Sequence, residues 1–458
     1  MLKLGFAPLR RKSLSATVAA VQRREILAKV CSILPDFIDL VDITDICPDG
    51  MMVEERDANA IADKFAKVGV DALFLAFCDF GEECAAATLS ARLKVPTLVW
   101  GPRDYSPNTD EKAGRDTQCG MFAATKVLAR MGVTYSYIVS CPTSSKEFFD
   151  GFVDFIRVAN IVKKLKNLRV AKFGSRPRAF MSVMANDAEL AERFGIVTIP
   201  IAASQVGSRA LKLIESNDIT LDAYIADFTR RVDCSSMNLE TVRKTAAIKL
   251  AMQALMGENA CEGAAVECWS AMGDMLGGVP CLAIGELADA GLSAACEGDV
   301  NGAITLAILQ ACSLGDGSQF FADLTIRHPS NDNAELLWHC GPFPYSLKAE
   351  TSRARYIDMQ CRWELRRGDI TICRFDSING QYSLFAGEGR AVDGPETTGT
   401  YVWFEVDDWK KWEEKLIFGP YIHHVGGAYG RYTKALREAA RYLGIKFDTP
   451  DTDRVYSL

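Results

Sequence analysis

The sequence predicts an α/β fold in which two doubly wound parallel-sheet domains are followed by a β-rich C-terminal domain. Its 458 residues exceed what one hydrophobic core usually organises. Over the first two-thirds of the chain, short apolar runs alternate with helical patterns, which is typical of parallel sheets covered by helices. After residue 313 apolar runs follow one another without helical patterns between them, which indicates a mixed or antiparallel sheet.

The first predicted domain covers residues 1–165. Its strand-length runs are LKLGFAPL, FIDLVDIT, DALFLAF, PTLVW and YSYIVS. Between them, residues 54–68 form the clearest helical pattern, and one face of it is formed by Ala58, Ile61, Phe65 and Val68. Ligands of such sheets bind beyond the carboxyl ends of the strands, where residues 101–104 include Arg103. The loop of residues 101–104 either lines a pocket or forms an ordinary turn.

The second predicted domain covers residues 166–295 and the third covers residues 296–458. Alternation restarts with LRVAKFG, NDAELAERF and IVTIPI and continues through a long helix at 238–257 to the strand GAAVEC. The third domain begins with a helix at 298–313. Its predicted strands are FFADLT, ELLWHC, ITICRF, YSLFAGEG and TYVWFEV.

Composition excludes several function classes. A formal net charge of −7 argues against electrostatic binding of nucleic acid. The N-terminus lacks the apolar core of a signal peptide, and no window approaches the roughly 18 apolar residues of a membrane span. We therefore expect a cytoplasmic protein without membrane contact. The 15 cysteines are scattered and show no CxxC spacing, so we expect reduced core thiols and no thiolate metal site.

The four histidines are candidate metal ligands and proton carriers. They are His328, His339 and the adjacent pair His423 and His424, which glycines flank in the run GPYIHHVGG. A pair in such a segment can bring one imidazole to a bound ion while the other points elsewhere. The alternative for each is a structural role in the core.

Three carboxylates lie within apolar sequence, where an unpaired charge costs several kcal/mol to bury. Glu267 lies in the run AAVECW, and Glu297 and Asp299 lie in CEGDVNG. Asp299 also fits a helix N-cap. Carboxylates with one imidazole suit Mn²⁺, Mg²⁺ or Co²⁺. Such a site can move a proton between adjacent carbons of a hydroxy-carbonyl substrate while the ion holds its oxygens.

Several motifs, in order, resemble the L-fucose isomerase-like family of the L-fucose/L-arabinose isomerase superfamily. The similarity is dense over residues 260–430, and DTQCG at 116–120 is also similar to a segment of these proteins. The motifs are ECW at 267–269, VPCLA at 279–283, ACEGDVNGA at 295–303, FAD at 321–323, LWHCG at 337–341 and the histidine pair at 423–424.

The resemblance implies a metal-dependent aldose-ketose isomerase that works through an enediolate. Glu267 and Asp299 are then metal ligands and the acid/base pair, His424 completes the site, and Mn²⁺ is the expected ion, with Mg²⁺ or Co²⁺ as alternatives. If Glu267 is structural, Glu297 replaces it. The resemblance also implies a homo-oligomer, a trimer or hexamer. The side chains that we expect to contact the sugar are His423, Trp269, Arg103 and Asn301.

The identity of the sugar stays open at this point. Lys172, Arg176 and Arg178 form a basic segment after a predicted strand, which either receives a phosphate or sulfonate group or is plain surface. Two other functions also stay open. One is a non-catalytic sugar-binding or regulatory protein, and the other is a metal-dependent lyase or epimerase that passes through the same enediolate.

Overall fold

The computed structural model describes residues 1–33, 36–104, 115–268 and 277–452. Its contacts divide the chain into two units, Met1–Lys163 and Lys164–Leu458. The second unit contains both a parallel sheet and the β-rich part, so the predicted boundary between residues 295 and 296 lies inside it. Among the described helices, none is long and apolar enough to cross a membrane.

The first unit contains a five-stranded parallel sheet in the order β2-β1-β3-β4-β5. The strands are β1 (Leu2–Leu9), β2 (Ile38–Val41), β3 (Ala72–Phe77), β4 (Thr97–Trp100) and β5 (Ser136–Tyr137). The helices are α1 (Ala16–Ser32), α2 (Glu55–Val68), α3 (Glu83–Leu93), α4 (Thr117–Arg130) and α5 (Lys146–Lys166). The predicted face of α2 is confirmed for Ala58, Ile61 and Phe65, which are buried, whereas Val68 at the end of the helix is half-buried.

The second unit begins with a four-stranded parallel sheet in the order β7-β6-β8-β9. The strands are β6 (Arg169–Phe173), β7 (Val197–Ile201), β8 (Gly263–Val266) and β9 (Ser293–Ala295). The helices are α6 (Asp187–Phe194), α7 (Ala203–Glu215), α8 (Ile219–Arg231), α9 (Leu239–Glu258), α10 (Cys281–Asp289) and α11 (Val300–Ser313), with a 3₁₀ turn at Met181–Val183. Both parallel sheets are as predicted, and their doubly wound arrangement stays a prediction.

The β-rich part, confirmed as such, contains a closed barrel. Six strands form a ring in the order β16-β11-β10-β17-β14-β15, and pairing of β15 with β16 closes it. The strands are β10 (Phe320–His328), β11 (Asn331–His339), β12 (Arg355–Ile357), β13 (Gln360–Glu364), β14 (Asp369–Ile378), β15 (Gln381–Val392), β16 (Thr400–Glu405), β17 (His424–Tyr429) and β18 (Lys446–Asp448). A 3₁₀ turn at Tyr345–Leu347 and the helices α12 (Trp409–Phe418) and α13 (Thr433–Leu443) complete it.

Helix α11 links the parallel sheet to the barrel. It is buried along almost its whole length, as expected for a helix that is apolar on all sides. Thr305 of α11 accepts a hydrogen bond from the backbone N–H of Phe375 in β14 at 2.9 Å. Gly426 of β17 lies so close to α11 that an added Cβ would stand 2.9 Å from the Thr305 side chain. The N-terminus of α11 is thereby fixed beside β14 and β17.

A buried ion pair fixes the C-terminal end of the described chain, and its loss should be costly. Lys415 of α12 donates to Asp448 Oδ1 and to the carbonyl of Thr452, both at 2.8 Å. We expect Lys415→Met to lower the free energy of unfolding by about 2–4 kcal/mol, because Asp448 loses its main counter-charge. The exposed Lys411→Met should cost less than about 1 kcal/mol. Urea unfolding of both variants measures the difference, and equal midpoints would contradict the assignment.

Candidate active site

The candidate site lies where β9, the first turn of α11 and two barrel strands meet. His424 is the first residue of β17, and Asp323 of β10 is its direct partner across the antiparallel pair. Side chains of such partners point to the same face. Glu297 and Asp299 follow β9 and lead into α11. The structure therefore brings both sequence-predicted carboxylates of this turn to the predicted histidine.

His424 is fully buried, and both of its ring nitrogens make hydrogen bonds to carboxylates. Its Nδ1 lies 2.9 Å from Asp299 Oδ2, and its Nε2 lies 2.9 Å from Glu297 Oε2 and 3.5 Å from Asp323 Oδ1. Burial lowers the pKa of His424, but the hydrogen bonds to Asp299 and Glu297 outweigh it and raise the pKa to about 9. The hydrogen bond from Nδ1 to Asp299 fixes the orientation of the ring. Nε2 then faces the carboxylates of Glu297 and Asp323.

The carboxylate of Asp299 accepts hydrogen bonds at both of its oxygens. Its Oδ1 accepts from the Gly302 backbone N–H at 2.8 Å and from Arg374 Nη2 at 3.3 Å. Its Oδ2 accepts from Arg374 Nη1 at 2.5 Å and from His424 Nδ1. These four bonds use the four lone-pair sites of a carboxylate. The helix N-cap alternative is confirmed, and the ligand and acid/base role of Asp299 stays a prediction.

Arg374 of β14 is the cation that holds Asp299 in the interior. Its side chain is fully buried, and its Nε donates to Asp376 Oδ2 at 3.0 Å. Burial alone would raise the pKa of Asp299, but the guanidinium of Arg374 and the His424 hydrogen bond hold it below its usual range. Asp376, Arg374, Asp299 and His424 therefore form one chain of charged groups that orients the imidazole.

Glu297 occupies a strained backbone position beside His424. Its φ is +60°, in the left-handed region that side chains other than Asn, Asp and Gly rarely adopt. Gly298 follows with φ +68°, and an added Cβ there would stand 3.0 Å from the Cα of Arg176. Strain of this kind persists where the surroundings require it and is concentrated at functional sites. The turn presents the Glu297 carboxylate to His424 Nε2.

Asp323 marks the point where a cation fits. Its Oδ1 is buried and, among the described residues, has no hydrogen-bond partner. It lies 4.0 Å from Nε2 of His423 and 4.0 Å from Nε2 of His339. Ligand atoms of Asp323, His423 and His424 all lie within 4.8 Å of one another. An orphaned carboxylate oxygen facing imidazole nitrogens is the donor set that a divalent ion uses, so the residues fit a metal.

Aromatic rings enclose His424 on two sides. Phe180 lies nearly parallel to the imidazole, with ring centroids 5.8 Å apart and planes inclined by 16°. Phe321 presents its edge, with centroids 5.0 Å apart. Apolar rings of this kind limit the access of water and strengthen the electrostatic interactions inside the site. His423, by contrast, keeps an exposed side chain at the mouth of the site.

The other predicted site residues have different surroundings. Glu267 follows β8, and its Oε2 accepts from the backbone N–H of Ser175 at 2.8 Å, which fixes the end of β6. Asn301 is buried and donates to Asp376 Oδ1 at 3.2 Å, so its described contact is structural. Arg103 lies in the first unit, at a cavity of about 580 Å³ that also includes Arg115. Trp269 lies outside the described residues.

Sequence reasoning assigned no role to Asp323 or Arg374. Both lie inside apolar strand runs, FFADLT and ITICRF, where a charged residue is itself a signal. Burial raises the pKa of Asp323, as it would for a carboxylate in such a run. His339, for which a structural role in the core was the alternative, is buried, and its Nε2 faces Asp323.

Comparison with family models gives two matches. Residues 5–166 match the N-terminal domain of fucose/sulfoquinovose isomerase, and residues 360–449 match the C-terminal domain of L-fucose isomerase. The second match contains Arg374 and both histidines of the pair. The matched segments lie in different units of the structure and together cover more than half of the chain.

Individual relatives extend the similarity over almost the full length. The chain is 23% identical to the sulfoquinovose isomerases of Priestia megaterium and Priestia aryabhattai, over 96% of this chain and 97% of each relative. It is 24% identical to the sulfoquinovose isomerase of Alkalicoccus urumqiensis, over 97% of this chain and 98% of the relative.

Proposed function

The chain belongs to the L-fucose isomerase-like family and is an isomerase, and on this premise we propose that it is a metal-dependent aldose-ketose isomerase acting on sulfoquinovose. The observation that carries the metal-dependent part is the orphaned Asp323 oxygen facing the imidazoles of His423 and His424. The full-length similarity to sulfoquinovose isomerases supports the substrate.

In this proposal Asp323, His424 and Glu297 hold the ion, with His423 beside them. This set differs from the one that the resemblance implies, in which Glu267 and Asp299 join His424. In the structure Asp299 is hydrogen-bonded to Arg374 and His424, and Glu267 Oε2 accepts from Ser175. Their oxygen and nitrogen donors suit Mn²⁺, Mg²⁺ or Co²⁺. When bound, the ion holds the substrate oxygens and stabilises the negative charge of the enediolate.

The protein's own groups would carry the proton between the two substrate carbons. Glu297 and Asp323 stand on either side of His424 Nε2. One carboxylate can take the proton and return it to the neighbouring carbon while the other stays ionised. Asp299 and Arg374 keep the imidazole in one orientation throughout. The stacked Phe180 excludes water that would otherwise exchange with the carried proton.

A cavity beside the Glu297–Asp299 turn supports an anionic substrate. It has a volume of about 980 Å³, and the charged residues of its lining are Lys172, Arg176, Asp187 and Glu189, beside Gly298 of the turn. Lys172 is already paired with Asp187 at 2.7 Å. Arg176 Nη1 instead donates to the backbone carbonyls of Pro177 and Arg178. Arg176 is therefore the side chain that we assign to the sulfonate.

Charge removal at Arg176 should change substrate selectivity. We expect Arg176→Met to lower kcat/KM for sulfoquinovose about 10- to 100-fold, through loss of a charge-assisted hydrogen bond. The value for quinovose, which lacks the sulfonate, should change little. Arg178→Met, in the same segment but outside the cavity lining, is the matched control. Equal losses for both sugars would contradict a role in sulfonate recognition.

Metal affinity should rise with pH. Because the pKa of His424 is raised to about 9, its Nε2 carries a proton at neutral pH that has to leave before the nitrogen binds an ion. The apparent affinity for Mn²⁺ should therefore increase up to about tenfold per pH unit below pH 9 and level off above it. Calorimetry in buffers of different ionisation enthalpy should also detect proton release. A pH-independent affinity would argue against His424 as a ligand.

A direct test of the reaction uses the metal-loaded protein in deuterated water. NMR should show interconversion of sulfoquinovose with its ketose and deuterium at C2 or C1. Binding without exchange would favour the sugar-binding alternative, and exchange followed by other products would favour a lyase or epimerase. No exchange with sulfoquinovose, quinovose or L-fucose would overturn the proposal. Assembly into a trimer or hexamer stays a prediction.

A further inference from the structure

Four cysteine thiols from separate segments meet in the second unit. Cys268 follows β8, Cys281 begins α10, Cys296 follows β9 and Cys340 follows β11. The Sγ atoms of Cys268 and Cys296 are 3.0 Å apart, and those of Cys281 and Cys340 are 3.3 Å apart. The Cys296 thiol also interacts with the thiols of Cys281 and Cys340. All four are free, and only Cys340 is partly exposed.

The arrangement differs from both a disulfide pair and ordinary core packing. A disulfide joins each sulfur to one partner at about 2.05 Å, whereas Cys296 faces three other thiols. Tetrahedral zinc with Zn–S bonds of about 2.3 Å holds its sulfurs about 3.8 Å apart. The separations of 3.0 and 3.3 Å are nearer to that spacing than to the length of a disulfide bond. A single buried thiol packs as a small apolar group and needs no other sulfur.

We propose that Cys268, Cys281, Cys296 and Cys340 bind one thiophilic cation, Zn²⁺ or a cation of similar softness. One divalent cation binds all four thiolates at once and offsets half of their negative charge, whereas two disulfides would join Cys296 to only one of the three thiols that it faces. The partly exposed Cys340 provides the entry path. The sequence does not predict this site through a CxxC spacing, because the four thiols come from three strand ends and a helix start. Only the fold brings these segments together.

The thiol cluster lies directly behind the candidate active site. Cys296 precedes Glu297, and Cys340 follows His339. Nδ1 of His339 is 3.2 Å from Cys340 Sγ, and its Nε2 is 4.0 Å from Asp323 Oδ1. A cation here would tie together β8, β9, β11 and α10. Sulfur donors on one side and oxygen and nitrogen donors on the other select different metals.

Cadmium-113 NMR tests the proposal independently of isomerase activity. Reduced, metal-free protein is loaded with ¹¹³Cd²⁺ alone, and we expect one resonance in the far-downfield region typical of thiolate coordination. Cys296→Ser should abolish it. Cys373→Ser, which removes a buried thiol of β14 outside the cluster, should retain it. His424→Gln should also retain it, so failure of the proposed isomerase function would not remove the signal.

Two results would overturn the proposal. One is the absence of a thiolate-shifted resonance from the reduced wild-type protein at saturating cadmium. The other is intact mass spectrometry of the purified protein showing the loss of four hydrogens, which would mean two disulfides. Should Cys296→Ser not fold, the wild-type protein loaded with Co²⁺ decides instead. A sulfur-to-cobalt charge-transfer band that disappears on mercurial titration supports the site, and its absence contradicts it.

Discussion

Replacement of His424 by glutamine is expected to lower kcat for the aldose-ketose interconversion at least about 10³-fold. Acid/base groups and metal ligands each contribute factors of about 10² to 10⁴ to such reactions. The imidazole of His424 contacts the carboxylates of Glu297, Asp299 and Asp323. The amide of a glutamine side chain can neither take up a proton nor bind a divalent ion as imidazole does. Deuterium exchange at C2 should fall in parallel with kcat.

The control for this variant is His328→Gln. His328 lies at the other end of β10, where it accepts from the Ser330 backbone N–H at 3.1 Å and packs against Trp403. We expect kcat to change less than about twofold. Near-ultraviolet circular dichroism and the melting temperature verify that His424→Gln folds. A folded His424→Gln protein with undiminished kcat would remove His424 from the chemistry.

Replacement of Arg374 by methionine is expected to lower the free energy of unfolding by about 3–5 kcal/mol. Loss of one partner from a buried ion pair leaves an uncompensated charge in the interior. Here the stranded group is Asp299, whose two oxygens both bond to Arg374 and which is fully buried. Denaturant unfolding at pH 7 measures the loss. Arg390→Met, which removes an exposed pair with Glu405, should cost less than about 1 kcal/mol.

A double variant separates charge from packing at this position. If the stranded carboxylate causes the loss, Arg374→Met combined with Asp299→Asn should recover part of the stability, because an amide carries no charge. The pH dependence of the free energy of unfolding gives a second measure of the charge of Asp299. Since the folded-state pKa of Asp299 is depressed, its contribution is fully present above about pH 3.9 and lost as the pH falls below that value. A double variant no more stable than the single one would point to packing alone.

The candidate site was only partly predictable, because its members depend on register. The histidine pair and the Glu297–Asp299 turn are visible as unusual local sequence, and Asp299 as an N-cap follows from position alone. The proposal of Glu297 as a ligand beside His424 depends on the two hydrogen bonds that Asp299 accepts from Arg374. Arg374 lies 75 residues away in sequence, and nothing local relates the two.

Fold prediction succeeded where periodicity is strong. The alternation of strands and helices and the change to a β-rich part follow from patterns two to four residues long. Closure of the barrel does not follow from such short patterns, because the pairing of β15 with β16 depends on twist and stagger along six strands. The four thiols were predicted only as core residues for the same reason. Their convergence follows from strand ends and a helix start, not from their spacing.

The left-handed backbone of Glu297 has a consequence for laboratory evolution. Glycine or asparagine would adopt a φ of +60° with less strain, which is worth on the order of 1 kcal/mol. Selection for heat resistance alone should therefore enrich those residues at position 297. Selection for growth on the substrate should keep glutamate in spite of that gain. The residue recovered at this position would report which of the two pressures a population had experienced.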